Sequence, residues 1–344
     1  MPLKHYGVLK GRPINSRTGS GKSPHYQIHL VDDDTDYRIA INVKSKLEPS
    51  ALLYLMDDDY DHPMLDVLPD LPLGFNRLES RPGSGALDFI RGNHFDRNKM
   101  KPLAHSIQGP DNDLNDKIHA YVRRAIEDEE ALLYAFGERW GPENKKDKYF
   151  GFLPGNGIHD IHMNQGNATK WQADDGVWQD GGLIFHFPRI GGEHEAEIWP
   201  EQWVAVFLAF QSQAWHTDDR TGHRIDTQDP GVVVADDSVR IVAALVNPAG
   251  ADPGRETVTL LNTTPERVDL SAWSLVDKNK KRSTLAGVEI APGDAHRVVL
   301  DGKGAQLGNK GGAISLLDAN GNKVHGVSYS RKQAKRSGWS LVFP

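Results

Sequence analysis

Glycine and proline interrupt this chain so often that long regular elements have little room. There are 34 glycines and 20 prolines in 344 residues, and the runs between them are short and often alternate apolar with polar. Glycine weakens, and proline blocks, the interior of a helix or a central strand. Such punctuation favours short strands joined by turns, and so a β-rich protein. The length exceeds that of an ordinary single domain, and two are expected. A hydrophobic content of 38% with 8 Trp, 9 Tyr and 11 Phe is low but sufficient for two cores.

Several classes are excluded or disfavoured early. No apolar run approaches the roughly 18 residues needed to cross a bilayer. The opening MPLKHYGVLKGRP has no apolar signal-peptide core, so a cytoplasmic location is the default expectation, with non-classical export left open. There is no cysteine, hence no disulfide and no thiolate zinc site. The net charge of −7 conceals an asymmetry. From Val239 onward 15 Lys and Arg stand against 9 Asp and Glu, a balance of +6; the other 25 basic and 38 acidic side chains leave the first 238 residues at −13. A basic C-terminal third could attract nucleic acid or another polyanion, or the acidic body of a second copy.

Periodicity gives a coarse map. Residues 25–30 and 37–43 alternate and read as a hairpin around the acidic turn at Asp32 to Asp36. That turn and the run Asp57 to Pro63 both lack the register of a calcium loop and read as solvated turns. The clearest helix lies between Asp111 and Trp140, capped by Asp113 or Asn115, with Ile118, Val122, Ile126 and then Leu132 and Leu133 on its apolar side. Residues 141–148 read as a polar linker, and YFGFLPGNG after them as a short buried strand. Gly182 to Phe187 reads as a strand; Trp203 to Phe210 is buried as strand or helix. Residues 217–238 are polar and punctuated like a linker. Six strands follow near 239–246, 256–262, 273–276, 296–300, 313–317 and 323–328, a spacing that suggests a β-sandwich.

Two resemblances add to this. The C-terminal region has Glu256-x-Val258-x-Leu260-x-Asn262, then Val268-Asp269-Leu270 with Trp273 and Asp277. Ile290-x-Pro292-Gly293, Leu307, Asn309, Gly311-Gly312 and the hairpin from Ile314 through Asp318 to Gly321 follow. In this it resembles the lamin tail domain, although Ala272 stands where that family usually has glycine. The resemblance implies an immunoglobulin-like binding or tethering module, often attached in bacteria to hydrolases, and no catalytic residue. The first 230 residues resemble the YukJ-like bacterial proteins, catalogued as domain of unknown function 2278. The matching segments are Tyr6 to Gly11, Asp88 to Asn93, Gly157 to Asn167 and Phe210 to Gln213; that family implies no settled activity. The expected architecture is therefore a β-rich α+β domain over 1–230 and an all-β sandwich over 231–344.

The chemistry concentrates in GIHDIHMNQGN, Gly157 to Asn167. Imidazoles, amides and a carboxylate make poor core material, since each needs a partner when buried. His159 and His162 suit a divalent metal ion of unknown identity, with Asp180 and His186 as further ligand candidates. They share one face only in a helix or tight loop, and the flanking glycines and Pro154-Gly155-Asn156 favour a loop running into a helix. Without metal, one histidine could act as base and the other as acid. Asn164 and Asn167 could position substrate oxygens; Arg91 could neutralise a phosphate and Asn93 help bind it. Solvated loop residues are the plainer reading of Arg91, Asn93 and His94. The signal lacks the glutamate of His-Glu-x-x-His.

Three further motifs read as weaker. His216, Asp218, Asp219, His223 and Asp226 have ligand types but sit in the linker. Gly11 to His25 reads as an exposed loop without phosphate-loop register, and no nucleophile elbow is present. Two functions remain open: a metal-dependent, nuclease-like hydrolase of phosphodiester bonds tethered by its C-terminal domain, or a non-catalytic interaction or assembly protein with a structural cluster. The acidity of the N-terminal domain opposes a polyanionic substrate unless metal or local cations compensate.

Overall fold

The computed structural model describes residues 5–18, 25–43, 52–78, 93–96, 99–102, 113–161, 181–188, 200–210, 238–250, 252–321 and 323–344. At 42, 52–53, 102, 113, 159–161 and 209–210 it describes the backbone alone.

The N-terminal elements are β1 (Tyr6–Arg17), β2 (His25–Val31), β3 (Asp36–Asn42), β4 (Leu52–Asp57), β5 (Gly74–Arg77) and β6 (Lys101–Pro102). After α1 (Asp113–Glu127) come β7 (Leu132–Glu143), β8 (Gly155–Ile161), β9 (Gly181–Phe187) and β10 (Gln202–Phe210). Hydrogen bonding runs β1-β2-β3-β8-β7 and returns from β7 to β1 by pairing Tyr6–Gly11 with Leu133–Glu138. Five strands thus close into a barrel, with every neighbour antiparallel except the parallel pair β3–β8. The remaining strands continue from β7 as a wing in the order β9-β10-β4-β6, and β5 adds to β1.

Alternation accounts for the barrel. Tyr26, Ile28 and Leu30 on β2, and Tyr37, Ile39 and Ile41 on β3, point inward and join one core. Helix α1 lays Leu114, Ile118, Val122 and Ala125 on the same core, the spacing of one helical face. Leu132 and Leu133, expected as its last apolar turn, instead open β7. The chain turns first: the Asp128 carboxylate accepts from the Glu130 amide at 3.0 Å, a local bond that competes with helix continuation. Likewise Gly11 to Arg17, read as loop, is strand, and Tyr149 to Pro154, read as strand, lies in the β7–β8 connection. Trp203 to Phe210 is strand. Among the described residues α1 is the one long helix, so the strand-rich character is plain and the helical part rests on it.

The opposite face of β7, β9 and β10 packs Tyr134, Phe136, Ile184, Ala205 and Phe207 against Tyr60, Met64, Leu68, Phe95 and Met100. Lys10 ties this layer to β1, its ammonium donating to the carbonyls of Pro69 and Leu71 at 2.8 and 2.7 Å.

The C-terminal domain is all β. It contains β11 (Val239–Leu245), β12 (Thr257–Asn262), β13 (Val268–Asp269), β14 (Ser274–Asp277), β15 (Arg282–Thr284) and β16 (Glu289–Ile290). These are followed by β17 (Ala295–Val299), β18 (Gly312–Leu317), β19 (Lys323–Tyr329), the short helix α2 (Arg331–Ala334) and β20 (Leu341–Val342). Two four-stranded sheets, β17-β12-β11-β20 and β15-β14-β18-β19, enclose one core, with β13–β16 as a separate pair. All six expected strands are present. The four extra strands, β13, β15, β16 and β20, have two or three residues, too few to leave a period.

The two domains touch. Asn93, 5% exposed, donates from its amide to Ile314 O, Ser315 Oγ and Val327 O at 3.1, 3.2 and 3.0 Å. Gly326 leaves room for it, since a Cβ there would lie 2.4 Å from Asn93 Oδ1. Behind Asn93, Tyr60 donates to the His94 carbonyl, the His94 ring meets His62 at 4.6 Å, and Phe95 stacks on Phe207. A second tie runs from the Ser330 hydroxyl to Asp61 at 3.1 Å. Asn93 and His94 are therefore buried seam residues, not the solvated loop expected for them.

Candidate functional site

The histidine cluster begins inside the barrel wall. Gly155–Ile161 is a strand hydrogen-bonded on both sides, to β3 (Arg38↔Gly157, Ile39↔Ile158) and to β7 (Arg139↔Ile158). The expected loop running into a helix is therefore replaced, as far as Ile161, by extended backbone that includes His159. Pairing on two edges overrides the local turn signals. Gly157 is required by contact: a Cβ there would sit 1.8 Å from Arg38 O. His162, Asn164, Asn167, Asp180 and Arg91 lie outside the described residues, as does the group from His216 to Asp226.

Beside Gly157 the outer face of β2 and β3 holds a polar and aromatic assembly that no motif announces. The Arg38 guanidinium donates to Asp147 at 2.6 Å and to Gln27 at 2.8 Å. It lies over the rings of Trp140 and Tyr149, 4.9 and 5.1 Å from their centroids. Burial alone would raise the Asp147 carboxyl, but the Phe150 and Tyr149 amides and Arg38 outweigh it and hold it below the usual carboxylate range. His29 stacks against Phe150 and Phe152 at 4.9 and 5.1 Å and bonds Asp36 at 2.7 Å. The residues 144–154 that supply these partners expose Lys145, Lys146 and Lys148 and leave Leu153 60% exposed. Read in sequence as linker up to Lys148 and as strand beyond it, they form a lysine and aromatic loop pinned down by a buried ion pair. The interleaving in KKDKYFGF was the available signal.

His186 is elsewhere. It pairs with Leu132 on β7, whereas Ile158 pairs with Arg139. Seven residues of strand, about 23 Å, separate the two positions. The His186 ring lies on Trp203 at 4.0 Å and bonds Glu201 at 2.8 Å. The backbone positions of His159 and His186 therefore stand well apart along the wall. Among the described residues no group of three or more His, Asp and Glu is placed to hold a metal ion. Asn93, a substrate-binding candidate, has its amide committed to the C-terminal domain.

In the C-terminal domain the motif polar residues act as internal staples. Asn262 donates to the carbonyls of Glu266, Ile290 and Ala291, and Asp277 accepts from the Asn279, Lys281 and Gln306 amides. Glu256, 2% exposed, accepts from Leu307 N at 2.9 Å, and burial pushes its carboxyl up to about 7. The folded state therefore holds this proton more tightly than the unfolded chain. The resulting stabilisation is complete below about pH 4.5 and is lost as pH rises towards 7. Glu256→Gln keeps the Leu307 acceptor and should unfold at a higher temperature than wild type at pH 8 but not at pH 4.5. Equal differences at both would refute the assignment. His325, lowered to about 4 chiefly by burial, acts in the opposite sense and is unchanged by that substitution.

A closed barrel with a wing, fastened to an all-β tail, defines the architecture of this protein. The chain belongs to the family described as uncharacterized conserved protein DUF2278, whose model matches residues 1–222; the Lamin Tail Domain model matches 234–331. Uncharacterized protein YukJ of Bacillus subtilis (strain 168) is 47% identical over 223 residues, 64% of this chain and 93% of that protein. No solved structure matches. No helix among the described residues is long and apolar enough to cross a membrane.

Proposed function

We propose that the N-terminal domain binds a single-stranded phosphodiester polymer and hydrolyses it in a metal-dependent, nuclease-like reaction, with the tail domain as a tether. The observation behind the binding is the barrel order β1-β2-β3-β8-β7-β1, with β3 parallel to β8 and α1 between the third and fourth barrel strands. That is the order of the OB-fold, whose ligands lie on the face of the second and third strands and the adjoining loops. At that place stands the loop with Lys145, Lys146, Lys148, Tyr149, Phe150 and Phe152, suited to phosphates and stacked bases. Likeness of fold supplies a location and no chemistry.

The chemistry rests on His159 and His162, with Asp180 as a third ligand candidate and Asn164 and Asn167 holding substrate oxygens. Arg91 would meet a phosphate. A divalent ion there would supply Lewis acidity. The second reading, an interaction or assembly protein with a structural cluster, draws on the incorporation of His159 into a strand paired on both edges.

One experiment separates them. A labelled single-stranded oligonucleotide is incubated with the full chain and magnesium, manganese or zinc, with and without chelator. Hydrolysis that falls at least about 100-fold in His159→Ala and His162→Ala, with unchanged circular dichroism, is expected. No turnover in any ion would overturn the catalytic reading.

A further inference from the structure

The last fourteen residues, RKQAKRSGWSLVFP, hold four cations and no acidic side chain, and all but the first lie beyond the residues matched as Lamin Tail Domain. Their backbone is fixed at short intervals. Ser330 caps α2, accepting from Gln333 N while its own amide donates to the Gln333 side chain. Asn247 donates to Ala334 O at 3.0 Å, Ser337 to Pro248 O at 3.2 Å, and Gly338 N to Asn247 O at 2.7 Å. Ala334 is buried in the sandwich core, and β20 pairs with β11.

This anchoring turns the charges outward. Arg331, Lys332, Lys335 and Arg336 are all exposed, and none of them is ion-paired among the described residues. Trp339 is 63% exposed, with the Arg336 guanidinium 5.2 Å from its ring. A solvated charge run needs neither a fixed backbone nor a bare indole. An exposed tryptophan beside four preorganised cations fits a ligand that offers phosphates and flat faces together.

We propose that Arg331 to Trp339 is a binding surface for single-stranded nucleic acid. Arg331, Lys332, Lys335 and Arg336 take successive phosphates, and Trp339 stacks on an unpaired base. Every base has a face to stack on, so recognition is tolerant of sequence. The surface begins where Ser330 meets Asp61, at the seam with the barrel domain, so a bound strand is held at a fixed place on the molecule. It acts whether or not the barrel cleaves.

Fluorescence anisotropy of a labelled oligothymidylate of about 20 nucleotides, titrated with the full chain in chelator, tests this without hydrolysis. Four phosphate contacts on a single strand predict that log K falls with log salt with a slope of up to about −2.8. The triple variant Lys332→Glu, Lys335→Glu, Arg336→Glu should bind at least about tenfold more weakly, with a shallower slope. Trp339→Ala should bind about tenfold more weakly with the slope unchanged. All the altered side chains are exposed, so unfolding temperatures should match wild type. Absence of binding, or binding unaffected by either variant, would overturn the proposal. So would capture of phosphatidylglycerol vesicles with no affinity for the oligonucleotide. A failure here leaves the metal-dependent cleavage assay on the barrel as a separate question.

Discussion

Gly157→Ala should unfold the barrel under conditions where the native chain is stable. The added methyl would lie 1.8 Å from Arg38 O, with Arg38 C and N at 2.7 and 2.8 Å, so only a shift of paired backbone could admit it. Such a shift breaks the β3–β8 ladder and moves Arg38 off Asp147, whose side chain is fully buried. Stranding a buried carboxylate is among the costliest single changes. The expected loss is on the order of 4 kcal/mol or more, equivalent to roughly 10 °C in a domain of this size. Gly151→Ala is the control: that glycine has φ +79° but nothing within 4 Å of a Cβ, so only about 1–2 kcal/mol of backbone strain applies. Thermal unfolding checks both, and a Gly157→Ala protein that melts with Gly151→Ala would contradict the close packing of β8 against β3.

The second large effect concerns the seam. Asn93→Gly should separate the two domains energetically while leaving each folded. Glycine retains the backbone conformation, which at Asn93 has φ +50°, and removes an amide that donates to Ile314 O, Ser315 Oγ and Val327 O. At about 1 kcal/mol for each buried hydrogen bond, the coupling should weaken by roughly 2–3 kcal/mol. Calorimetry of the native chain should give one transition and the variant two. Two transitions already present in the native chain would show that Asn93 does not couple the domains.

What was legible in the sequence follows the range of the forces involved. The hairpin β2–β3 announces itself by alternation, because a strand with one buried face must repeat every two residues; β9 shows as a short apolar run and the six principal tail strands by their spacing between turn signals. The buried face of α1 shows at Ile118 and Val122 for the equivalent reason. Turn chemistry misled at three places. Asp128 ended the helix before Leu132, and the β7–β8 connection borrowed the apolar look of a strand. The glycines around His159 imitated a loop although two neighbouring strands hold the backbone extended. Asn93 read as solvent-facing because nothing near it in the chain indicates a partner.

The sequence by itself determined a β-rich, two-domain chain with an acidic body and a basic end, its family and the lamin-tail likeness of its last third, and the concentration of imidazole and amide groups from His159 to Asn167. Those are properties of composition and of short-range pattern. Only the tertiary structure decided that the first sheet closes into a barrel, that His186 stands apart from His159, that Arg38 meets Asp147 and that Asn93 joins the domains. The last two partners are separated by 109 and 221 positions in the chain. Their bonds form only once closure has brought distant strands together, since nothing local repays the entropy of holding such residues side by side.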